Sequence, residues 1–167
     1  MPDRSDQRLC AGPRSSKPAE LPRVWHLFGE DHLPYRLLLL ARMIDRETAR
    51  QLQTRFGLAL AEWRLLAIAT ALGPCSASEI GAAGEIDRAE ISRALRRLEA
   101  EGLMQREADP AHRKRRIITL TEAGKALYRD ISEERRAFFR TILSGLDGAE
   151  RAQVDQSLEK IAHAMPD

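Results

Sequence analysis

The sequence has few cysteines, no long apolar run and almost no excess of either charge, and each shortage excludes a class of protein. Its two cysteines, Cys10 and Cys75, match no paired metal-binding or redox spacing, so we expect no disulfide framework. The uncharged apolar runs, such as Leu37 to Ala41, are far shorter than the roughly 20 residues that span a bilayer. A formal charge of +2 gives no whole-chain argument for a nucleic-acid or acidic partner. We therefore expect a cytoplasmic protein without a membrane segment.

Sequence signatures of enzymes and metal sites are also missing. The chain contains no GxSxG, HExxH or Walker pattern. The potential ligands Glu30, Asp31 and His32, with His26 nearby, have no second cluster at metal-ligand spacing. We expect no enzyme activity, no metal and no cofactor. Cys75 precedes a predicted helix start, which can lower a thiol pKa, although packing is the commoner role of a lone cysteine.

Helical periodicity organises the chain after a polar N-terminal tail. Residues 1–33 begin with a Pro-, Gly- and Ser-rich stretch that lacks the apolar centre of a signal peptide, and we expect them to be largely disordered or peripheral. Apolar spacing, caps and breakers define the remaining elements. The predicted helices cover about 34–56, 60–72, 76–83, 87–101, 122–144 and a last segment that starts at Asp147.

Two helix-start signals in quick succession indicate a helix-turn-helix. Ser76 and Glu79 have the spacing of a capping box, in which each side chain bonds the other residue's backbone amide. Asp87 provides a second cap, and the helix that it starts ends near Gly102. Gly84 and a few neighbours separate the two helices, which is the spacing of a helix-turn-helix.

A basic β-hairpin is predicted next. Two short extended stretches, 103–108 and 115–120, flank a loop with an Asp-Pro turn signal. From Arg88 to Arg116 there are nine Lys or Arg residues against five Asp or Glu, so positive charge is concentrated here. The order of elements predicts a mainly α fold with a small β-hairpin wing, a winged helix-turn-helix between long terminal helices.

The helix that starts at Asp87 has an apolar face and a basic face. Ile91, Leu95 and Leu98 recur at helical spacing and should face the core. An arginine fork matches the two acceptors of guanine in a major groove, so the basic face favours base recognition. Solubility is the alternative role of an exposed basic face. The residues of the basic face are Arg88, Ala89, Ser92, Arg93 and Arg96.

At these residues the sequence resembles the MarR (multiple antibiotic resistance regulator) family of bacterial winged-helix transcription factors. The resemblance covers roughly 34–164 and rests on four pieces in order: Ile91-Ser-Arg93, Leu98-Glu-Ala-Glu-Gly-Leu103, Asp109-Pro110 with the basic loop, and Leu120-Thr-Glu-Ala-Gly124. It implies a homodimer on a pseudopalindromic operator, with dimerisation helices at 34–56 and 122–164 and a DNA-binding domain at 57–121. The implied dimer core contains Leu143, Leu146, Val154, Leu158 and Ile161.

The resemblance assigns DNA contacts to individual residues. Ser92 and Arg93 occupy contact positions of the recognition helix, and Arg113 and Lys114 correspond to wing residues that enter the minor groove. His112 and Lys114 replace the Asp and Arg that are common in the wing, and lysine lacks the planar fork of arginine. Arg115 is therefore a third candidate, and the sequence leaves the choice open. Gly84 and Glu85 stand where an apolar residue and a turn glycine are usual.

The resemblance also implies a repressor that a small aromatic or anionic ligand releases from DNA. Arg36 could pair with a ligand carboxylate, and Trp63 could line the ligand pocket or serve only in helix packing. The candidate ligand contacts are Tyr35, Arg36, Leu39, Met43 and Trp63. Two other functions stay open, an effector-independent DNA-binding regulator and a winged-helix protein-interaction module that does not bind DNA.

Overall fold

The computed structural model describes residues 21–26, 32–109 and 115–166. The chain divides into two compact units, one ending at Asp45 and the other beginning at Arg46. The predicted order of elements is confirmed, with helix and strand boundaries that differ by one or two residues. The elements are a 3-10 turn at Arg23–His26, α1 (Leu33–Phe56), α2 (Leu60–Leu72), α3 (Ala77–Gly84), α4 (Arg88–Ala100), β1 (Met104–Ala108), β2 (Arg116–Leu120), α5 (Glu122–Ile142) and α6 (Gly148–His163).

The first unit contains the 3-10 turn and the beginning of α1. The Trp25 amide donates to the Pro22 carbonyl at 2.8 Å, and Arg36 Nε donates to the Trp25 carbonyl at 3.2 Å. Arg36 thus ties the turn to α1. The predicted disordered or peripheral tail includes residues 21–26, and this part has a defined conformation because its backbone is hydrogen-bonded. Residues 1–20, with Cys10, and 27–31 lie outside the described residues.

The second unit is built around α2, which packs against α3, α4, α5 and β2. Its Leu65, Leu66 and Ala69 are buried, and fully burying a large aliphatic side chain stabilises a fold by about 1.5–3 kcal/mol. One core therefore holds the helix-turn-helix and the wing together. The other large core residues are Leu52, Leu58, Ile80, Ile91, Leu95, Leu98, Met104, Ile118 and Ile131.

The wing is a two-stranded antiparallel hairpin with one additional β-bridge. Met104 pairs with Leu120 at one end, and Ala108 pairs with Arg116 at the other. Cys75 forms the bridge: its amide donates to the Ile118 carbonyl at 3.2 Å, and the Ile118 amide donates to the Cys75 carbonyl at 2.7 Å. This backbone bridge attaches the wing to the residue directly before the Ser76 cap of α3.

The two C-terminal helices leave apolar surface exposed. No residue of α6 is buried, and Val154 and Leu158 are 45% and 43% exposed. Of the other predicted dimer-core residues, Leu143 is exposed and Leu146 and Ile161 are half-buried. Phe139 and Ile142, near the end of α5, are exposed as well.

A buried arginine joins α5 to the second half of α1. Arg135 Nη2 donates to Thr48 Oγ1 at 2.6 Å, and Nη1 donates to Gln51 Oε1 at 3.3 Å. The guanidinium carbon also lies 4.5 Å from the centre of the Phe138 ring. These bonds compensate the cost of burying an ionised side chain.

Candidate nucleic-acid interface

The start of α4 is fixed by Asp87. One carboxylate oxygen, Oδ1, accepts from the amides of Ala89 and Glu90 at 2.8 and 2.9 Å. These bonds satisfy two of the amides that an α-helix leaves unpaired in its first turn. The predicted cap is therefore confirmed, and it determines which side chains the helix turns outward.

The two faces of α4 are divided as the spacing predicts. Ile91, Leu95 and Leu98 are buried, together with Ala94. The five predicted contact residues on this helix are all exposed and share its outer face: Arg88, Ala89, Ser92, Arg93 and Arg96. The structure thus brings these five together on one exposed surface.

The arginines of this region differ in what holds them. Within residues 21–26, 32–109 and 115–166, neither Arg88 nor Arg93 forms an ion pair, and Arg96 Nε donates only to the Ser92 carbonyl of its own helix. Arg97 is also exposed, but its side chain is bound to the rest of the protein: it donates to the Gly57 carbonyl at 2.9 Å and lies 3.3 Å from buried Glu62. Unpaired positive charge is thus available on the outer face of α4.

Two arginines near the wing are paired with carboxylates of the same chain. Arg106 on β1 donates through two nitrogens to both oxygens of Glu99 on α4, each at 2.6 Å. Arg97 also donates to Glu101 at 3.1 Å. A count of charges along the sequence includes these arginines as positive. Their side chains are occupied by contacts within the protein.

The root of the wing is held by side chains as well as backbone. The Asp109 amide donates to the Arg115 carbonyl at 3.0 Å, and Arg115 Nη2 donates to both oxygens of Glu79 on α3 at 2.9 and 2.7 Å. The structure thus places Arg115, a candidate for minor-groove insertion, against α3. The two other candidates, Arg113 and Lys114, lie outside the described residues, as do Pro110 and His112.

Glu79 serves both as a helix cap and as an ion-pair partner. Its Oε2 accepts from the Ser76 amide at 2.7 Å, and Ser76 Oγ accepts from the Glu79 amide at 3.3 Å, so the predicted capping box is confirmed. Hydrogen bonds from Ser76, followed by the bond and charge of Arg115, lower the pKa of the Glu79 carboxyl. Glu79 therefore stays ionised at neutral pH. Its ion pair with Arg115 could not be predicted from sequence spacing, because the two residues are 36 positions apart.

Helix α3 ends at a corner that departs from the family pattern. Glu85 has a left-handed backbone (φ 49°), and its amide donates to the Gly81 carbonyl. Gly84 is closely packed, since a Cβ there would lie 2.4 Å from Ile68 Cδ1 and 3.0 Å from Ile86 Cδ1. Glu85 thus occupies the backbone conformation that usually favours glycine, while Gly84 allows α2 and α3 to approach closely.

The Leu120-Thr-Glu-Ala-Gly124 piece joins the wing to α5. Thr121 Oγ1 donates to the Gly102 carbonyl at 2.7 Å and accepts from the Gly124 amide at 3.1 Å. A Cβ on Gly124 would lie 2.0 Å from the Leu103 carbonyl oxygen. The threonine and the glycine therefore hold the end of α4 against the start of α5.

The candidate ligand residues lie in both units. Tyr35, Arg36, Leu39 and Met43 are half-buried on the part of α1 that belongs to the first unit. In the second unit, Trp63 is half-buried against the core and stacks on Tyr128 of α5, with ring centres 5.5 Å apart and planes inclined by 16°. Sequence reasoning did not identify Tyr128, because its stacking partner Trp63 lies on another helix.

Cys75 is a packing residue. Its side chain is buried and free of a disulfide. Burial raises the pKa of the Cys75 thiol, the Glu79 carboxylate acts in the same direction, and Arg115 opposes them. The possible lowering of this pKa by the helix N-terminus is thus wrong, because loss of hydration outweighs it.

The described residues contain no group of three or more His, Cys, Asp or Glu side chains that could hold a metal ion; Glu30 and Asp31 lie outside them. None of the helices in the described part of the chain is both long and apolar enough to cross a bilayer.

Comparison with known proteins identifies this geometry. The sequence model of the MarR family matches residues 58–115, which run from the start of α2 to the wing. The uncharacterised HTH-type transcriptional regulator YwoH of Bacillus subtilis is 27% identical over 113 residues, covering 68% of this chain and 81% of that protein. The HTH-type transcriptional repressor NicR of Pseudomonas putida is 33% identical over 89 residues, covering 53% of this chain and 56% of NicR.

Solved structures agree with the sequence matches. The structure of BpsR from Bordetella bronchiseptica, whose DNA binding is regulated by 6-hydroxynicotinic acid, is 26% identical, with a TM-score of 0.64 over 76% of this chain and 98% of that one. The wild-type MarR protein of Escherichia coli shares the fold, with a TM-score of 0.69 at 18% identity. The resemblance inferred from the sequence is confirmed: residues 58–115 match the MarR family, and the chain has the winged helix-turn-helix fold of MarR-family transcriptional regulators.

Proposed function

We propose that the protein is a homodimeric, sequence-specific repressor that recognises its operator through the outer face of α4. The observation that carries the proposal is the exposure of Arg88 and Arg93, which form no ion pair within the described residues. A free guanidinium can bind guanine with two hydrogen bonds or neutralise a phosphate. Ala89, Ser92 and Arg96 complete this face, and the basic wing loop supplies contacts to the adjacent minor groove.

The proposed dimer forms through the terminal helices. The apolar side chains that α5 and α6 leave exposed, among them Leu143, Val154 and Leu158, would be buried by a second copy. Burial of apolar surface contributes about 25 cal/mol per Å², so a face of this kind favours association. Two copies would present two recognition helices, which suits half-sites about one DNA turn apart.

The proposed repressor responds to a small aromatic or anionic ligand. Support comes from relatives: NicR is a repressor, and 6-hydroxynicotinic acid regulates DNA binding by BpsR. Such a ligand lowers DNA affinity only if it binds better to a state that does not fit the operator. Tyr35, Arg36, Leu39, Met43 and Trp63 remain the predicted ligand contacts.

Selection of DNA from a random-sequence library tests the proposal without knowledge of the operator. Wild-type protein should enrich a pseudopalindrome, and the logarithm of its affinity should fall linearly with the logarithm of salt concentration, because bound phosphates release counterions. Titration of the complex with 6-hydroxynicotinic acid, with benzoic acid as a second aromatic anion, then tests release. Failure to enrich any sequence at low salt would contradict DNA recognition, and an enriched duplex that neither anion releases would leave the ligand proposal without support.

A further inference from the structure

The side chain of Arg115 has a location that does not suit a DNA contact. Its guanidinium reaches back from the hairpin to α3, where Nη2 lies 2.9 and 2.7 Å from the two Glu79 oxygens. Its Nε is buried and has no hydrogen-bond partner, and Asp109 Oδ2 lies 3.6 Å from it. Arg115 therefore lies close to two carboxylates of its own chain, Glu79 on α3 and Asp109 at the root of the wing.

This network connects the two parts that must contact DNA together. Glu79 lies in the first turn of α3, where its bonds to Ser76 fix its position. Asp109 directly follows β1, and its amide donates to the Arg115 carbonyl where the strands meet the loop. The backbone bridge between Cys75 and Ile118 holds the wing closer to its base. Arg115 thus adds a second attachment, nearer the tip, between the wing and the helix-turn-helix.

We propose that Arg115 is a positioning residue, which with Glu79 and Asp109 sets the direction of the wing relative to α3 and α4. The minor-groove contact then falls to the loop residues Arg113 and Lys114. This inference rests on the proposed DNA recognition, and it removes Arg115 from the three candidates for the minor-groove contact. Since Glu79 and Arg115 are both partly exposed, with side chains 50% and 37% accessible, the pair contributes little to stability. Its effect should appear in DNA specificity.

The test compares Glu79→Gln, Arg115→Gln and the double variant on the selected duplex and on a scrambled duplex. Glutamine at 79 still fits a capping box, so the fold is retained, and Glu107→Gln removes a carboxylate from the same hairpin as a control. A general change in charge shifts both affinities equally. The ratio of the dissociation constant for the scrambled duplex to that for the selected duplex therefore measures the effect of positioning alone. We expect each single variant to lower this ratio about threefold, the double variant to lower it no further, and Glu107→Gln to leave it unchanged.

A direct role in DNA binding gives a different pattern. If Arg115 contacts a phosphate, Arg115→Gln weakens binding to both duplexes equally. It also reduces the slope of log affinity against log salt concentration by about 0.9, while Glu79→Gln leaves the ratio unchanged. If Arg115 reads a base, the ratio falls for Arg115→Gln alone. Either pattern overturns the proposal.

Hydrogen exchange tests the same network without DNA. The Asp109 amide should exchange faster in Glu79→Gln and in Arg115→Gln than in wild type, because the strand end that it closes loses its attachment to α3. Unchanged exchange in both variants would refute the positioning role even if the protein selects DNA. If no duplex is selected, the proposed function is refuted. The exchange result then still tests whether Glu79 and Arg115 hold the wing against α3.

Discussion

Gly124 has less free space around it than any other described glycine. A Cβ at this position would lie 2.0 Å from a backbone carbonyl oxygen, that of Leu103, which cannot rotate away as a side chain can. We predict that Gly124→Ala lowers the free energy of unfolding by about 2–3 kcal/mol, the upper part of the range for overpacking. Gly148→Ala is the control, because nothing lies within 4 Å of a Cβ there. Chemical denaturation of both variants measures the difference, and equal stabilities would contradict the close approach.

The reason for this glycine could not be obtained from the sequence. The Leu120-Thr-Glu-Ala-Gly124 piece identifies the family, and the Thr121 cap follows from local spacing. The carbonyl that excludes a larger side chain belongs to Leu103, which lies on the other side of the hairpin. Only the fold brings these two segments together.

The corner between α3 and α4 contains a conformation that a glycine would adopt at lower cost. Glu85 has a φ of 49°, and left-handed backbone costs an ordinary residue about 1–2 kcal/mol. We predict that Glu85→Gly raises the free energy of unfolding by about 0.5–1 kcal/mol, since the greater freedom of glycine in the unfolded chain offsets part of the gain.

The matched control for this prediction is Glu101→Gly. Glu101 ends α4 just as Glu85 ends α3, but its φ is −86°, so glycine gains nothing there and should lower stability. Thermal or urea unfolding of both variants gives the comparison. A loss of stability in Glu85→Gly as large as that in Glu101→Gly would show that the corner is not strained.

Helices and caps were predictable because their signals are local. Ser76 and Asp87 cap helices within three residues of themselves, and the apolar face of α4 repeats every turn. The arginine partners were not predictable, because they lie on other elements. Arg97 bonds Gly57, and Arg115 bonds Glu79. A count of charges therefore located the basic region, but it could not separate the arginines that hold the fold from those free to bind DNA.

The proposed dimer uses the exposed apolar side chains of α5 and α6. We predict that Leu158→Glu shifts the protein toward monomer, because it places a charge in the proposed apolar interface. Gln156→Glu adds the same charge at another exposed position of α6 and should leave the dimer intact. Light scattering coupled to size-exclusion chromatography measures both masses over a range of concentrations. A wild-type monomer, or a Leu158→Glu dimer as stable as wild type, would contradict this interface.

The central claim is that the outer face of α4 reads DNA sequence, and Arg93→Ala tests it most directly. Binding to the selected duplex and to a scrambled duplex is measured by fluorescence anisotropy at one salt concentration. Arg129→Ala removes the same charge from exposed surface of α5 and serves as the control. If Arg93 reads a base, Arg93→Ala should weaken binding to the selected duplex by about 1–3 kcal/mol, with a much smaller loss on the scrambled one. Equal losses on the two duplexes, or a loss no greater than that of Arg129→Ala, would contradict the claim.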